Sequence, residues 1–397
     1  MSAPFGVDLP MPQLYILRYS IGRERNMNIT LLSGLIFVGV FAAVVLIHEF
    51  GHFIAARLLK VEVEEFGIGF PPRALKLFKW MGTDFTLNWL PLGGFVRPKG
   101  ENDPNVEGGL AASSPWVRLG VLIAGPVMNL LAGLVVNSIL FTQVGVPDMT
   151  HVMLYEVTPD SPAAQAGLQA NDMIVAIDGE QVTSDEQFRS LIQSHLDQPM
   201  QITVQRSDGT VDVTATPLSS RSAEEGALGI LPGPPMVPAK SFIQAIPYGS
   251  LYTYAQMRQI VSLPVMLVRN QLSPEEGRFV GLKGIYDLFG QAVSRDVQSR
   301  EQIPPTAGVP TPPVEPTNFT LQIIASLTLT LGIFNLLPFP ALDGGRILFV
   351  LPEIIFRRRV PAEFENVVHA VGFALLLVFM LYINAMDFIN PANFKLP

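Results

Sequence analysis

The chain has 397 residues, 49% of them hydrophobic and only 15% charged, with a mean hydropathy of +0.35, a profile that excludes an ordinary soluble protein and points to membrane embedding. A formal net charge of −8, with no basic patch or tail, excludes a nucleic-acid partner held by phosphate neutralisation. Cysteine is absent, which excludes disulfides and thiolate metal sites, so any metal ion must be held by nitrogen and oxygen donors.

Residues 1–26 are an N-terminal extension that need not belong to the core. Residues 26–47 carry no charge and predict a first membrane span, with helix continuing to about Lys60. At its end stands the sequence HEFGH, residues 48–52. One ionisable side chain near mid-bilayer costs about 2.5 to 3.5 kcal/mol, so a cluster of three implies a function. His48 and His52 are four residues apart and project from one helical face with Cβ atoms roughly 5 to 6 Å apart, a spacing that suits two imidazoles on one ion. Glu49 lies about a hundred degrees round the helix, within reach of a metal-bound water without ligating the metal itself. The alternative is a hydrogen-bonded polar knot that stabilises a helix bundle.

Further spans are predicted at 119–146, 319–342 and 367–386. Arg57, Lys60, Arg73, Lys76, Lys79, Arg97 and Lys99 lie between the first two, and Arg346, Arg357, Arg358 and Arg359 between the last two. The positive-inside rule makes both loops cytoplasmic, which leaves both termini and the long segment between the second and third spans outside. Arg18, Arg23 and Arg25 oppose this orientation, and a start at Met27 would remove the conflict. The membrane domain thus has a first half, 27–150, and a second, 319–397.

Residues 151–218 read as a small α/β domain. A short helix closed by Gly167, alternation at 173–177, a turn at Asp178-Gly179, a helix with Phe188, Leu191, Ile192 and Leu196 on one face, and a hairpin around Asp208-Gly209 follow in order. This order resembles a PDZ domain, which binds an extended peptide or protein tail at a sheet edge. A similar domain without a peptide ligand is the alternative. Residues 219–318 form a proline-rich linker with membrane-surface helices: 231–238 is a stiff linker, 242–268 a helix lying on or dipping into the outer surface, and 302–317 a loose loop.

A hydrolytic zinc site takes three protein ligands and leaves one position for water. In NLLPFPALDGG, residues 335–345, Asp343 supplies a carboxylate within apolar sequence, followed by two glycines that permit close approach of another backbone. It is the expected third ligand, the alternative being a helix cap. Pro338 and Pro340 interrupt the third span and free backbone groups that Asn335 or an extended substrate can satisfy.

HEFGH, NLLPFPALDGG and the PDZ-like segment together resemble the site-2 protease family of intramembrane zinc metalloproteases, in its bacterial RseP-like branch, from Met27 onward. GPVMN at 125–129 and LPLGGFVRP at 90–98 also look like family segments, the latter like a cytoplasmic β-hairpin that loops back toward the active site. The resemblance implies a polytopic α-helical membrane protein of about four transmembrane helices, with an inserted extracytoplasmic α/β PDZ-like domain and a membrane-associated β-hairpin, in the bacterial inner membrane. It implies one Zn2+ per chain on His48, His52 and Asp343, with Glu49 as catalytic base. Candidate substrate-binding residues are Gly93, Gly94, Asn129, Asn335 and Pro338. Asn129 or Asn335 would assist an oxyanion or hold the substrate, or else hydrogen-bond between helices. The implied substrates are membrane proteins with a single transmembrane segment, such as pre-cleaved anti-sigma factors or remnant signal peptides. The chain departs from the family at 279–288, where relatives show a tidier glycine-proline motif, and in having one PDZ-like unit where some have two. An inactive PDZ receptor and a metal or proton transporter are the competing function classes.

Overall fold

The computed structural model describes residues 11–101, 103–206, 209–221, 226–271, 277–301 and 318–391. The tip of the expected 208–209 hairpin at Asp208, the 302–317 loop and the first ten residues of the N-terminal extension lie outside these residues. The chain opens on helix α1 (Met11–Leu58), strands β1 (Val63–Trp80) and β2 (Thr83–Pro98) and helix α2 (Pro115–Val144). It continues through β3 (Val146–Pro147), β4 (Val152–Val157), α3 (Pro162–Ala166), β5 (Met173–Ile177), β6 (Glu180–Gln181), α4 (Asp185–Ser194), β7 (Met200–Arg206), β8 (Gly209–Ala215), β9 (Ile230–Gly233) and β10 (Met236–Val237). Helices α5 (Phe242–Val268), α6 (Leu282–Glu301), α7 (Phe319–Asn335), α8 (Asp343–Phe356) and α9 (Ala362–Ile389) complete it. These divide into two compact units, residues 1–138, 249–298 and 318–397, and residues 139–248 with 299–317.

In the first unit, three helices are long and apolar enough to cross a membrane: Leu31–Leu58, Pro115–Val144 and Ala362–Ile389, of 28, 30 and 28 residues. The expected span at 319–342 is not one helix. Helix α7 stops at Asn335 after 17 residues, about 25 Å of rise and short of the roughly 30 Å hydrocarbon layer. Pro338 and Pro340 cannot donate to a continuing helix and disfavour it in the residues before them, and Ala341 takes a positive φ of 79° before α8 begins at Asp343. Helix α1 ends where Lys60 enters the left-handed region at φ 63°.

Strands β1 and β2 pair antiparallel, but the register doubles back. Phe66 faces both Val96 and Phe85, and Ile68 faces both Gly94 and Leu87, so the stretch 63–68 has neighbours on both sides. Phe53 of α1 meets Phe66 and Phe85 edge to face at 5.9 and 5.6 Å, fixing the pair to the end of the helix. Contacts of this geometry add about 0.5 to 1.5 kcal/mol each to the area buried.

Other helices of this unit are held by polar anchors. Asn137 Nδ2 donates to Thr253 Oγ1 and Gln256 Oε1, both at 2.9 Å, tying α5 to α2. Asp296 accepts from the amides of Phe319 and Thr320, satisfying two free N–H groups at the start of α7. Asp387, 1% exposed, accepts from the amides of Gly281 and Gly284 and from Arg278 Nη2, holding the start of α6 against α9. A Cβ at Gly281 or Gly284 would stand 2.9 or 3.0 Å from Asp387 Oδ2, which is the packing reason for glycines in the loosely matching 279–288 segment.

The second unit is a six-stranded sheet in the order β8-β7-β5-β4-β9, with β6 on β5. Its core gathers Val152, Leu154, Ile174, Ile177, Phe188, Ile202 and Val204, the inward members of alternating strands and the apolar face of α4. Ser161 caps α3 by accepting from Ala164 N–H, and Gly167 closes it at φ 88°. The expected linker at 231–238 is instead structured: β9 pairs with the edge of β4 through Leu154↔Pro232 and Val157↔Ile230, and β10 pairs with β3. An edge strand tolerates proline because its missing N–H can face away from the ladder. The sheet therefore extends past residue 218.

Candidate metal centre

Helix α1 delivers His48, Glu49 and His52, and Gly51 between them lets it close on α2: a Cβ at Gly51 would stand 2.4 Å from the Ala124 carbonyl oxygen. Across this contact the His52 ring lies over Gly125, where a Cβ would be 2.3 Å from Nε2. Helix α8 delivers Asp343 from its first position. The two glycines that follow pack against the carbonyls before them, with a Cβ at Gly344 falling 2.1 Å from Leu337 O and one at Gly345 2.3 Å from Phe339 O. Substitution of either would push the start of α8, and Asp343 with it, away from the broken end of α7.

Three donor atoms converge. His48 Nε2 and His52 Nε2 are 3.2 Å apart, and Asp343 Oδ2 is 3.1 Å from the first and 3.4 Å from the second. A tetrahedral zinc ion with bonds of 2.0 to 2.1 Å requires donors about 3.3 Å apart, so the three fit its coordination sphere. Asp343 Oδ2 is buried and has no hydrogen-bond donor, as expected of an oxygen reserved for a cation. His52 donates Nδ1–H to Val121 O at 2.8 Å, leaving the Nε2 lone pair toward the other two donors. A set of two imidazoles and one carboxylate, with no thiolate, matches hydrolytic zinc sites and leaves the fourth position free.

Glu49 is set beside the triad. Its Oε2 accepts from the backbone N–H of Val96 in β2 at 3.1 Å, and its Cγ lies 3.7 Å from where a Cβ at Gly94 would be. A cavity of about 510 Å³ is lined by His48, Glu49, His52, Asp343, Gly94 and Asn335, among others. Arg346, paired with Glu101, also borders it. Of the candidate residues, Gly93, Asn129 and Pro338 do not line this cavity. Gly93 occupies a positive φ of 99° with the Phe70 ring where a Cβ would be, and Pro338 is exposed in the break after α7. Asn129 is fully buried behind the triad, its Nδ2 3.4 Å from His48 Nδ1. The Val121 carbonyl and the Val96 amide are backbone groups that no side-chain motif signals.

The model of peptidase family M50 matches residues 36–379. A predicted zinc metalloprotease of Clostridium perfringens is 31% identical over 88% of this chain and 97% of its own length. The zinc metalloprotease RasP of Oceanobacillus iheyensis is 28% identical over 88% of this chain and 97% of its own length. The metalloprotease MmpA of Caulobacter vibrioides is 29% identical over 86% of this chain and 92% of its own length.

Proposed function

The chain belongs to peptidase family M50 and is an intramembrane zinc metalloprotease of the site-2 protease type, and on that premise we propose how its residues divide the work. His48, His52 and Asp343 hold the zinc ion and Glu49 is the catalytic base; the convergence of the three donor atoms within 3.1 to 3.4 Å carries this reading. Zinc, when bound, activates water towards neutral pH and polarises the scissile carbonyl. Glu49 takes the proton of the attacking water and passes it to the departing amide nitrogen. The Val96 N–H holds one carboxylate oxygen of Glu49, which leaves the other to take that proton.

A peptide bond inside a transmembrane helix is shielded by its own hydrogen bonds, so the substrate must unwind before cleavage. The stretch 94–98 of β2 pairs on one side with 63–68 and borders the cavity on the other. Its remaining edge grips the unwound substrate by strand addition, and Gly94 and Asn335, which line the cavity, complete the grip. Helix α7 crosses with the 336–342 connection, giving four spans in a bacterial cell membrane. The hairpin is then cytoplasmic and membrane-associated, and the sheet unit is an extracytoplasmic PDZ-like domain. That domain selects substrates by tail or size, admitting single-span membrane proteins already trimmed by another protease.

The test is Glu49→Gln in the purified membrane protein. Zinc stays stoichiometric by metal analysis while cleavage of a single-span substrate falls by about 10²- to 10⁴-fold. Retained cleavage would overturn the assignment of the base.

A further inference from the structure

Both imidazoles need their second nitrogen protonated if Nε2 is to face the metal as a lone pair. For His52 the partner is the Val121 carbonyl. The corresponding neighbour of His48 Nδ1 is the amide of Asn129, 3.4 Å away on α2, two helical turns beyond Val121. Asn129 has no exposed surface, and its other amide atom, Oδ1, is a buried acceptor with no donor. Its Cβ is pressed by α7, where a Cβ at Gly332 would stand 3.3 Å away. The side chain is thus walled in beside His48 and is not itself among the residues lining the catalytic cavity.

With Nδ2 toward His48, the ring would have to accept at Nδ1 and carry its proton on Nε2, the nitrogen aimed at Asp343. A half-turn of the amide exchanges its two ends without changing its shape. It then offers Oδ1 to the Nδ1–H of His48, supplying the missing donor to the oxygen and releasing the Nε2 lone pair. We propose that Asn129 is a positioning residue of the metal centre: its Oδ1 accepts from His48 Nδ1–H and fixes the tautomer and ring orientation that present Nε2 to zinc. One face of α2 thereby orients both histidines of α1, through a carbonyl at 121 and an amide at 129. The role differs from holding substrate or an oxyanion, and it rests on the zinc-protease reading of the same site.

The experiment compares zinc affinity, by competition with a chelator of known affinity, and thermal midpoint in the full-length protein and its Asn129→Leu, Asn129→Ala and Asn129→Asp variants. Loss of the acceptor in the Leu and Ala variants weakens zinc binding about 10- to 100-fold. Asn129→Asp restores a carboxylate acceptor and binds zinc within a few-fold of the parent. If Asn129→Leu does not fold, the smaller Ala variant carries the same measurement. Unchanged zinc affinity in a folded Leu or Ala variant, or an Asp variant as weak as these, overturns the proposal while leaving the metalloprotease intact. A parent protein that takes up no stoichiometric zinc overturns the reading of the site and this inference with it.

Discussion

A methyl group at position 125 would stand 2.3 Å from His52 Nε2, closer than any real carbon-nitrogen contact. The obstacle faces a ligand atom rather than the end of a flexible chain, so the ring must move for the methyl to fit. Gly125→Ala is therefore expected to cost at least about tenfold in zinc affinity through the displaced ligand, read by chelator competition; an affinity equal to the parent's would show that the ring has room to yield. The three residues that converge at the candidate metal centre were legible as candidates in the sequence. Two histidines four apart at the end of an uncharged stretch suit one shared ion, and Asp343 is a rare carboxylate in apolar sequence. What spacing cannot show is which backbone groups complete the site. The Val121 carbonyl and the Val96 amide belong to residues whose side chains say nothing of hydrogen bonding. Asn129 was recognisable as a polar residue in a span, but its direction, toward His48 rather than substrate, depends on how two helices pack.

Among the elements, the β1–β2 pair has the most direct bearing on turnover. Gly94 is placed where a Cβ would meet Leu46 Cδ2 and the Gly67 carbonyl oxygen, each at 3.0 Å, with Glu49 Cγ next at 3.7 Å. Gly94→Val should push β2 from α1, lengthen the Val96 to Glu49 hydrogen bond and lower kcat by at least about tenfold, while zinc content remains that of the parent because no ligand is touched. Loss of zinc in the same variant would mean that the helix, not the strand, had yielded. The sequence patterns found the helices of this protein more readily than its breaks and edges. Hydropathy marked 319–342 as one span, whereas proline chemistry stops α7 at Asn335 and uses the remainder to bring Asp343 round to the histidines. Residues 231–238 looked like a spacer because they are rich in proline and glycine; pairing with β4 comes from a free sheet edge that lies far away in sequence.

At the scale of the molecule, the two units have separate cores. Phe188, fully buried in the sheet unit, packs with Leu154, Ile174 and Ile202. Phe188→Ala should cost that unit about 3 to 5 kcal/mol, a large part of the roughly 5 to 15 kcal/mol that holds a domain together. Thermal unfolding followed by limited proteolysis would locate the loss in 139–248, and metal analysis should find zinc retained; simultaneous loss of zinc would show that the two units do not unfold separately. Composition announced a membrane protein and the change in patterning after 150 announced a second unit, but where the sheet ends was hidden, since its closing strand, β9, follows a polar sequence with no hydrophobic alternation.

The donors of the metal centre come from opposite ends of the chain, two from α1 and one from the start of α8. During synthesis the histidines enter the bilayer long before the aspartate exists, and an ion held by two imidazoles alone lacks its third anchor. On the proposed ligand set, the emerging polypeptide gains its third donor only once residue 343 has been made.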